Sequence, residues 1–269
     1  LTACGGGSDS NPTDRGTILS AQLLGKATIA QIDASTAASG AQALTGTAKC
    51  DVELRYILYI TRNPAGAQAT ASTAVFVPTG TDPNCTGQRP VVLYAHGTTF
   101  TQSKNLAIVS SDSEGAGLMA MFAAQGFIVV APNYLGYDRS SLDYHPYVNA
   151  EAEAVDMIDG LRAAKTHIAA QSTTQASAQL LITGYSEGGF VAMATHKVIE
   201  RDHASEFTVT AAAPMSGPYN LVKMRRRDGQ PERHGRSRRN ALHAAARHQF
   251  PARLRQHVHQ RVRRLPVAV

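Results

Sequence analysis

Leu180-Leu181-Ile182-Thr183-Gly184-Tyr185-Ser186-Glu187-Gly188-Gly189-Phe190 is the stretch that decides how this chain folds. Leu180 to Thr183 is a short, continuous apolar run of the kind that suits a strand buried on both faces of a parallel sheet. A helix-like segment, Glu187 to Glu200, follows at once. A strand that turns straight into a helix strains its apical residue and lifts that side chain out of the sheet. Side chains two positions either side of the apex would collide, so glycine is required at 184 and 188. Ser186 is therefore a candidate nucleophile, and the new helix aims its first amides and its dipole at negative charge developing on a substrate. A phosphate-binding loop would need Lys-Ser/Thr after the glycines, where this chain has Gly189-Phe190-Val191. A dinucleotide fingerprint would need G-x-G-x-x-G, which is also missing.

Upstream, Val52 to Ile60 and Thr73 to Val77 read as neighbouring strands, with a turn at Asn63-Pro64-Ala65-Gly66 and an end at Pro78. Val91 to Ala95 and Phe127 to Ala131 repeat the buried-strand pattern. Ser111 to Gln125 reads as a helix stopped by Gly126. Glu151 to Ala170 reads as the best helix, with Val155, Ile158, Leu161 and Ile168 at three- and four-residue steps. Phe207 to Ala213 reads as a last strand. Strands alternating with helices predict right-handed βαβ units and a doubly wound, mostly parallel α/β sheet.

The strand at Val91–Ala95 ends in His96-Gly97-Thr98-Thr99. In a strand–turn–helix site of this kind, backbone N–H groups of Thr98 and Glu187 would form the oxyanion hole. His96 precedes the serine, whereas the general base of such a site follows it, so His96 reads as structural. His145, beside Tyr144 and Tyr147, reads as a turn residue or a pocket-lining one. Asp138 and Asp143 read as loop carboxylates, and His167 and His196 as surface or packing residues. The Glu187 side chain is expected to point away from the serine.

Residues from about 50 to 222 resemble the α/β-hydrolases of the secretory-lipase and bacterial esterase kind. The matching segments are His96-Gly97-Thr98, Ala131-Pro132-Asn133-Tyr134-Leu135-Gly136-Tyr137, His145-Pro146-Tyr147 and Gly184-Tyr185-Ser186-Glu187-Gly188-Gly189. The resemblance implies hydrolysis of a small-molecule or lipid carboxylic ester through an acyl-enzyme, with no metal and no cofactor. Peptidases share the same turn, which leaves amides open as substrates.

The opening Leu1-Thr2-Ala3-Cys4-Gly5 resembles a bacterial lipobox. It predicts lipidation at Cys4, attachment to a bacterial cell-envelope membrane (the outer membrane) or secretion, and a flexible Gly/Ser/Asp tether over 1–16. Cys50 and Cys85 are then an even pair in an oxidising compartment and are expected to form a disulfide.

The chain has 269 residues, 43% of them hydrophobic, enough for one large α/β domain over 17–222. Its longest clean apolar runs, such as Phe127 to Pro132, are far too short to span a bilayer. The net charge of +6 invites a nucleic-acid reading until the charge is located. Residues 1–222 carry 12 Lys+Arg against 18 Asp+Glu, a net of −6; residues 223–269 carry 14 against 2, a net of +12. A basic patch across the body, the usual footprint on a duplex, is missing, and nucleic acid is not an expected partner.

Residues 223–269 contain Arg225-Arg226-Arg227, Arg236-Ser237-Arg238-Arg239, Arg263-Arg264 and five of the ten histidines, with no strand-like run. A stretch of like charge without a periodic apolar face does not complete a packed core. Its composition is that of a GC-rich gene read out of frame; a basic appendage and an unusual cap that supplies a base are the other readings. On the first, the C-terminal strands are incomplete, the Asp and His of the triad remain unknown, and the chain as written is expected to be inactive. A non-catalytic envelope lipoprotein on a hydrolase scaffold is the competing function.

Overall fold

The computed structural model describes residues 14–220. Cys4, most of the predicted tether and the Arg-rich segment 223–269 lie outside the described residues. Residues 14–16, placed by sequence in the tether, are pinned to the body. Arg15 Nε bonds both carboxylate oxygens of Asp159, and Gly16 N–H donates to Ile60 O at 2.8 Å.

The described residues form one seven-stranded sheet in the order β1-β2-β3-β5-β4-β6-β7. The strands are β1 (Ile18–Ala27), β2 (Asp51–Arg62), β3 (Gln68–Thr79), β4 (Gly87–Ala95), β5 (Ile128–Pro132), β6 (Thr174–Tyr185) and β7 (Val209–Met215). β1, β2, β3 and β5 pair antiparallel in succession, while β5, β4, β6 and β7 pair in parallel. Five of the seven strands thus run in one direction, as the α/β reading expected, and the N-terminal three make an antiparallel ribbon that alternation alone did not reveal.

The helices cover both faces: α1 (Ile29–Ser39) and α3 (Ser113–Met121) lie on one, α4 (Ala150–Gln171) and α5 (Glu187–Asp202) on the other. α2 (Gln42–Thr45) is a single turn. Side chains alternate accordingly along β4: Val91 and Leu93 pack under α4 and α5, Val92 and Tyr94 under α3. This period of two is what divides a buried parallel strand between two cores.

Three differences from the sequence reading have physical causes. β3 continues through Pro78 to Thr79, although proline was expected to end it. β5 pairs with β3 only over Thr73–Phe76, so the missing N–H of Pro78 falls where β3 has no neighbour on that side. The helix expected over 111–125 breaks at Phe122, and a 3₁₀ turn at Ala123–Gln125 leads into Gly126 at φ 98°. β1 and α1 were not foreseen. β1 is an edge strand whose Leu19, Leu23 and Leu24 are exposed, and α1 buries only Ile32 and Thr36, so neither carries an apolar period.

α4 is the framework of its layer. Asn149 caps it by accepting Ala152 N–H, and Ile158, Leu161 and Ile168 are fully buried as expected. The same helix also buries Glu153, Asp156 and Asp159, spaced three apart. Asp159 is held by Arg15, Arg162 and the Thr61 hydroxyl; Asp156 accepts from Tyr59 Oη at 2.9 Å and Leu135 N–H at 3.0 Å. Burial raises the Asp156 pKa to about 7, against the Tyr59 hydrogen bond that lowers it. A folded-state pKa above the unfolded one means this group's contribution is present in acid and lost as pH rises. The loss runs from the unfolded value of 3.8 through about 7. Asp156→Asn, which keeps an amide beside Tyr59, is expected to flatten the fall of the urea midpoint between those two values.

Cys50, just before β2, is bonded to Cys85 in the β3–β4 connection, with Cα atoms 5.4 Å apart, as the cysteine count predicted. Cys50→Ser with Cys85→Ser is expected to cost about 3–4 kcal/mol of unfolding free energy in urea titration, from the loop-closure entropy released.

Candidate active site

Ser186 stands alone between β6 and α5, at φ 59° and ψ −119°. This conformation costs a non-glycine residue of order 1–3 kcal/mol and persists only where its surroundings impose it. They do so here. Ser186 N–H donates to Met215 O on β7 at 2.9 Å, and Ser186 O accepts from Gly189 N–H at 3.0 Å. A Cβ at Gly184 would strike the Ala95 and Gly188 carbonyls, and one at Gly188 would strike the Ala95 and His96 carbonyls. Both glycines of the pattern are thus forced by the approach of α5 to the end of β4.

Backbone strain concentrates at this end of the molecule. The described non-glycine residues with positive φ are Tyr134, Asp138, Val148, Ser186 and Ser216, all following β5, β6 or β7 at their carboxyl ends. A cavity of about 550 Å³ opens at the same end between the loops after β4 and β5, lined by residues that include Gln102, Ser103, Ser140, Ser141 and Asp143. Ligands of open α/β sheets bind at this end.

The loop after β4 is braced on both sides of Thr98. Gly97 N–H donates to Glu114 Oε1 at 3.1 Å, and that carboxylate also accepts from Tyr94 Oη and Lys104 Nζ. Thr98 Oγ1 lies 3.1 Å from Tyr147 Oη. The amides of Thr98 and of Glu187, the first residue of α5, donate to no acceptor among the described residues.

None of the five described histidines is directed at Ser186. Both ring nitrogens of the fully buried His96 face main-chain carbonyls, Gly97 O at 2.8 Å and Asn133 O at 3.1 Å, and its ring stacks on Tyr134. Burial pushes its pKa down. His167 faces Arg55, His196 faces Glu200 and His203 faces Arg162.

His145 is not the plain turn residue of the sequence reading. It is buried, with Nδ1 on Leu135 O at 2.9 Å and Nε2 2.6 Å from Glu187 Oε1 and 3.3 Å from Glu153 Oε1. Burial alone would lower its pKa, but hydrogen bonds to Glu153 and Glu187 raise it to about 10. Burial also raises Glu153, to about 7. The Glu187 side chain does point inward, away from the serine, yet it anchors the first turn of α5. No spacing signal existed for this cluster, because its members are 8 and 34 residues apart in sequence. Asp138 likewise turns out to be a junction, accepting from Tyr56 Oη, Ser72 Oγ and Asn105 Nδ2.

Comparison with known proteins agrees with this architecture. Residues 116–221 match the model of the prolyl oligopeptidase family. The rice cell wall degrading esterase LipA from Xanthomonas oryzae is 35% identical, with a TM-score of 0.70 over 78% of this chain and 52% of LipA. The chain has the α/β-hydrolase fold. A protein described as a hydrolase from Legionella pneumophila is 28% identical, with a TM-score of 0.66 over 76% of this chain and 53% of its own. This chain therefore spans about half the length of the solved structures it resembles. No curated protein matches it.

Gly188→Ala places a methyl group against two fixed carbonyls. It is expected to destabilise by roughly 1–3 kcal/mol or more in urea titration, the cost of overpacking where neither partner can move.

Proposed function

We propose that this α/β-hydrolase belongs to an enzyme that cleaves carboxylic esters, with Ser186 as nucleophile. The observation that carries the reading is the strained Ser186, forced upright between β6 and α5, with the Thr98 and Glu187 amides left without an acceptor among the described residues. Ser186 Oγ attacks the ester carbonyl carbon, and the oxyanion is received by the N–H groups of Thr98 and Glu187. Collapse expels the alcohol and leaves an acyl group on Ser186; water then releases the acid. Each oxyanion donor is worth about 3 kcal/mol in such sites. The esterase described for LipA, at 35% identity, supports an ester substrate.

Ser186 needs a base to take its proton, and the described residues supply none, since each described histidine is engaged elsewhere. If the Arg-rich sequence after Val222 is read out of frame and supplies no base, Ser186 stays an ordinary alcohol and turns over poorly. A binding protein on the same scaffold is the reading that this missing base favours. The match to a peptidase family over 116–221 favours an amide substrate instead. Lipidation at Cys4 would hold the protein at a bacterial envelope membrane; among the described residues no helix is long and apolar enough to cross one.

The test compares the chain with a chimera that carries LipA residues after position 222. Fluorophosphonate labelling is expected to be fast in the chimera and abolished by Ser186→Ala. The chain as written is expected to react about 10⁴-fold or more slowly, the usual consequence of losing a base. A folded chimera that binds ester analogues but never labels would replace the hydrolase by a binding protein. Matched ester and amide substrates of one acyl group then separate esterase from peptidase.

A further inference from the structure

We propose that His145, Glu153 and Glu187 form a structural divalent-cation site, zinc by ligand type, directly behind the nucleophile turn. The site goes beyond the hydrolase reading and does not depend on it. One imidazole nitrogen and two carboxylate oxygens lie within 4.8 Å of one another, and all three residues are buried. Imidazole with carboxylates suits zinc among the available divalent ions.

Two observations point to a cation. His145 Nδ1 faces Leu135 O at 2.9 Å, so the ring donates there and presents Nε2 to the carboxylates. A backbone carbonyl on the far nitrogen is the usual support for a metal-bound histidine. Next, Glu153 Oε2 and Glu187 Oε2 are buried and have no hydrogen-bond partner, although each residue is only 1% exposed. Buried carboxylate oxygens are seldom left unpaired, and a metal would engage them.

Distances agree with this assignment. The 3.3 Å separation of His145 Nε2 and Glu153 Oε1 equals the edge of a zinc tetrahedron, about 3.3 Å for bonds near 2.0 Å. The 2.6 Å contact to Glu187 Oε1 is that of a proton-bridged pair and opens by several tenths of an ångström when the cation replaces the proton. Tyr134 and Tyr137 flank the His145 ring, with centroids 5.4 and 4.8 Å away. The cation would tie together the loop after β5, the first turn of α4 and the first residue of α5.

The full chain, expressed with zinc supplementation and purified without a metal-affinity tag, is tested by elemental analysis after dialysis and by cobalt substitution. One equivalent of zinc and tetrahedral cobalt absorption bands are expected. Glu153→Gln and Glu187→Gln, close isosteres, are expected to bind at least about 100-fold more weakly, beyond the loss seen for outer-shell partners. Ser186→Ala is expected to keep the metal in full, which separates this site from the catalytic reading. A natively folded protein by circular dichroism with no stoichiometric metal would overturn the proposal. So would metal retained undiminished in both glutamine variants, which would assign it to the five histidines of residues 223–269.

Discussion

The N-terminus of α5 approaches the end of β4 so closely that the Ala95 carbonyl lies against the Cα atoms of both Gly184 and Gly188. That one contact sets the geometry around Ser186. It leaves no room for a gradual turn, so the single residue between β6 and α5 must take up a positive φ. It brings the first amide of α5 beside the loop that β4 feeds. It also makes Met215 O on β7 the acceptor for Ser186 N–H, so three neighbouring strands fix one side chain. The strain at Ser186 is held by hydrogen bonds and packing of the sheet, not by the loop itself.

A second constraint works from beneath. α4 buries three carboxylates along one line, at 153, 156 and 159, and each meets a different part of the chain. Asp159 reaches the N-terminal segment and β2, Asp156 reaches β2 and the loop after β5, and Glu153 reaches His145 and the Val148 amide. Buried charge of this kind gives little net stability, because desolvation offsets most of the Coulombic gain. Its effect is positional. An apolar stripe tolerates sliding, whereas a carboxylate with fixed donors does not, and the strained loop after β5 is held to α4 by such donors.

The two constraints meet at Glu187. Its backbone opens α5 beside Ser186, while its side chain turns inward to His145. The residue next to the serine therefore links the strained turn to the buried acidic line. The loop bearing Thr98 is braced separately, through Glu114 on α3. The amides of Thr98 and Glu187 are thus positioned by independent carboxylates from opposite layers of the fold.

Much of this was legible in residue order. The strands at 52–60, 91–95 and 127–131, the long helix over 151–170 and the serine turn were readable because their signals are local: period, β-branched runs, and glycines at fixed offsets. The disulfide was readable from cysteine parity. β1 and α1 were not, because an exposed edge strand and a helix with two buried residues have no apolar period to detect. The His145–Glu153–Glu187 cluster was hidden for a different reason: ion pairs across 8 and 42 residues leave no spacing pattern, and a buried acid looks like a surface acid in sequence. By itself the sequence determined the class of fold and the glycine frame around Ser186, since these depend on backbone sterics at neighbouring positions. The tertiary structure alone decided which carboxylates are buried and what they hold, since that depends on which distant donors the sheet brings within hydrogen-bond reach.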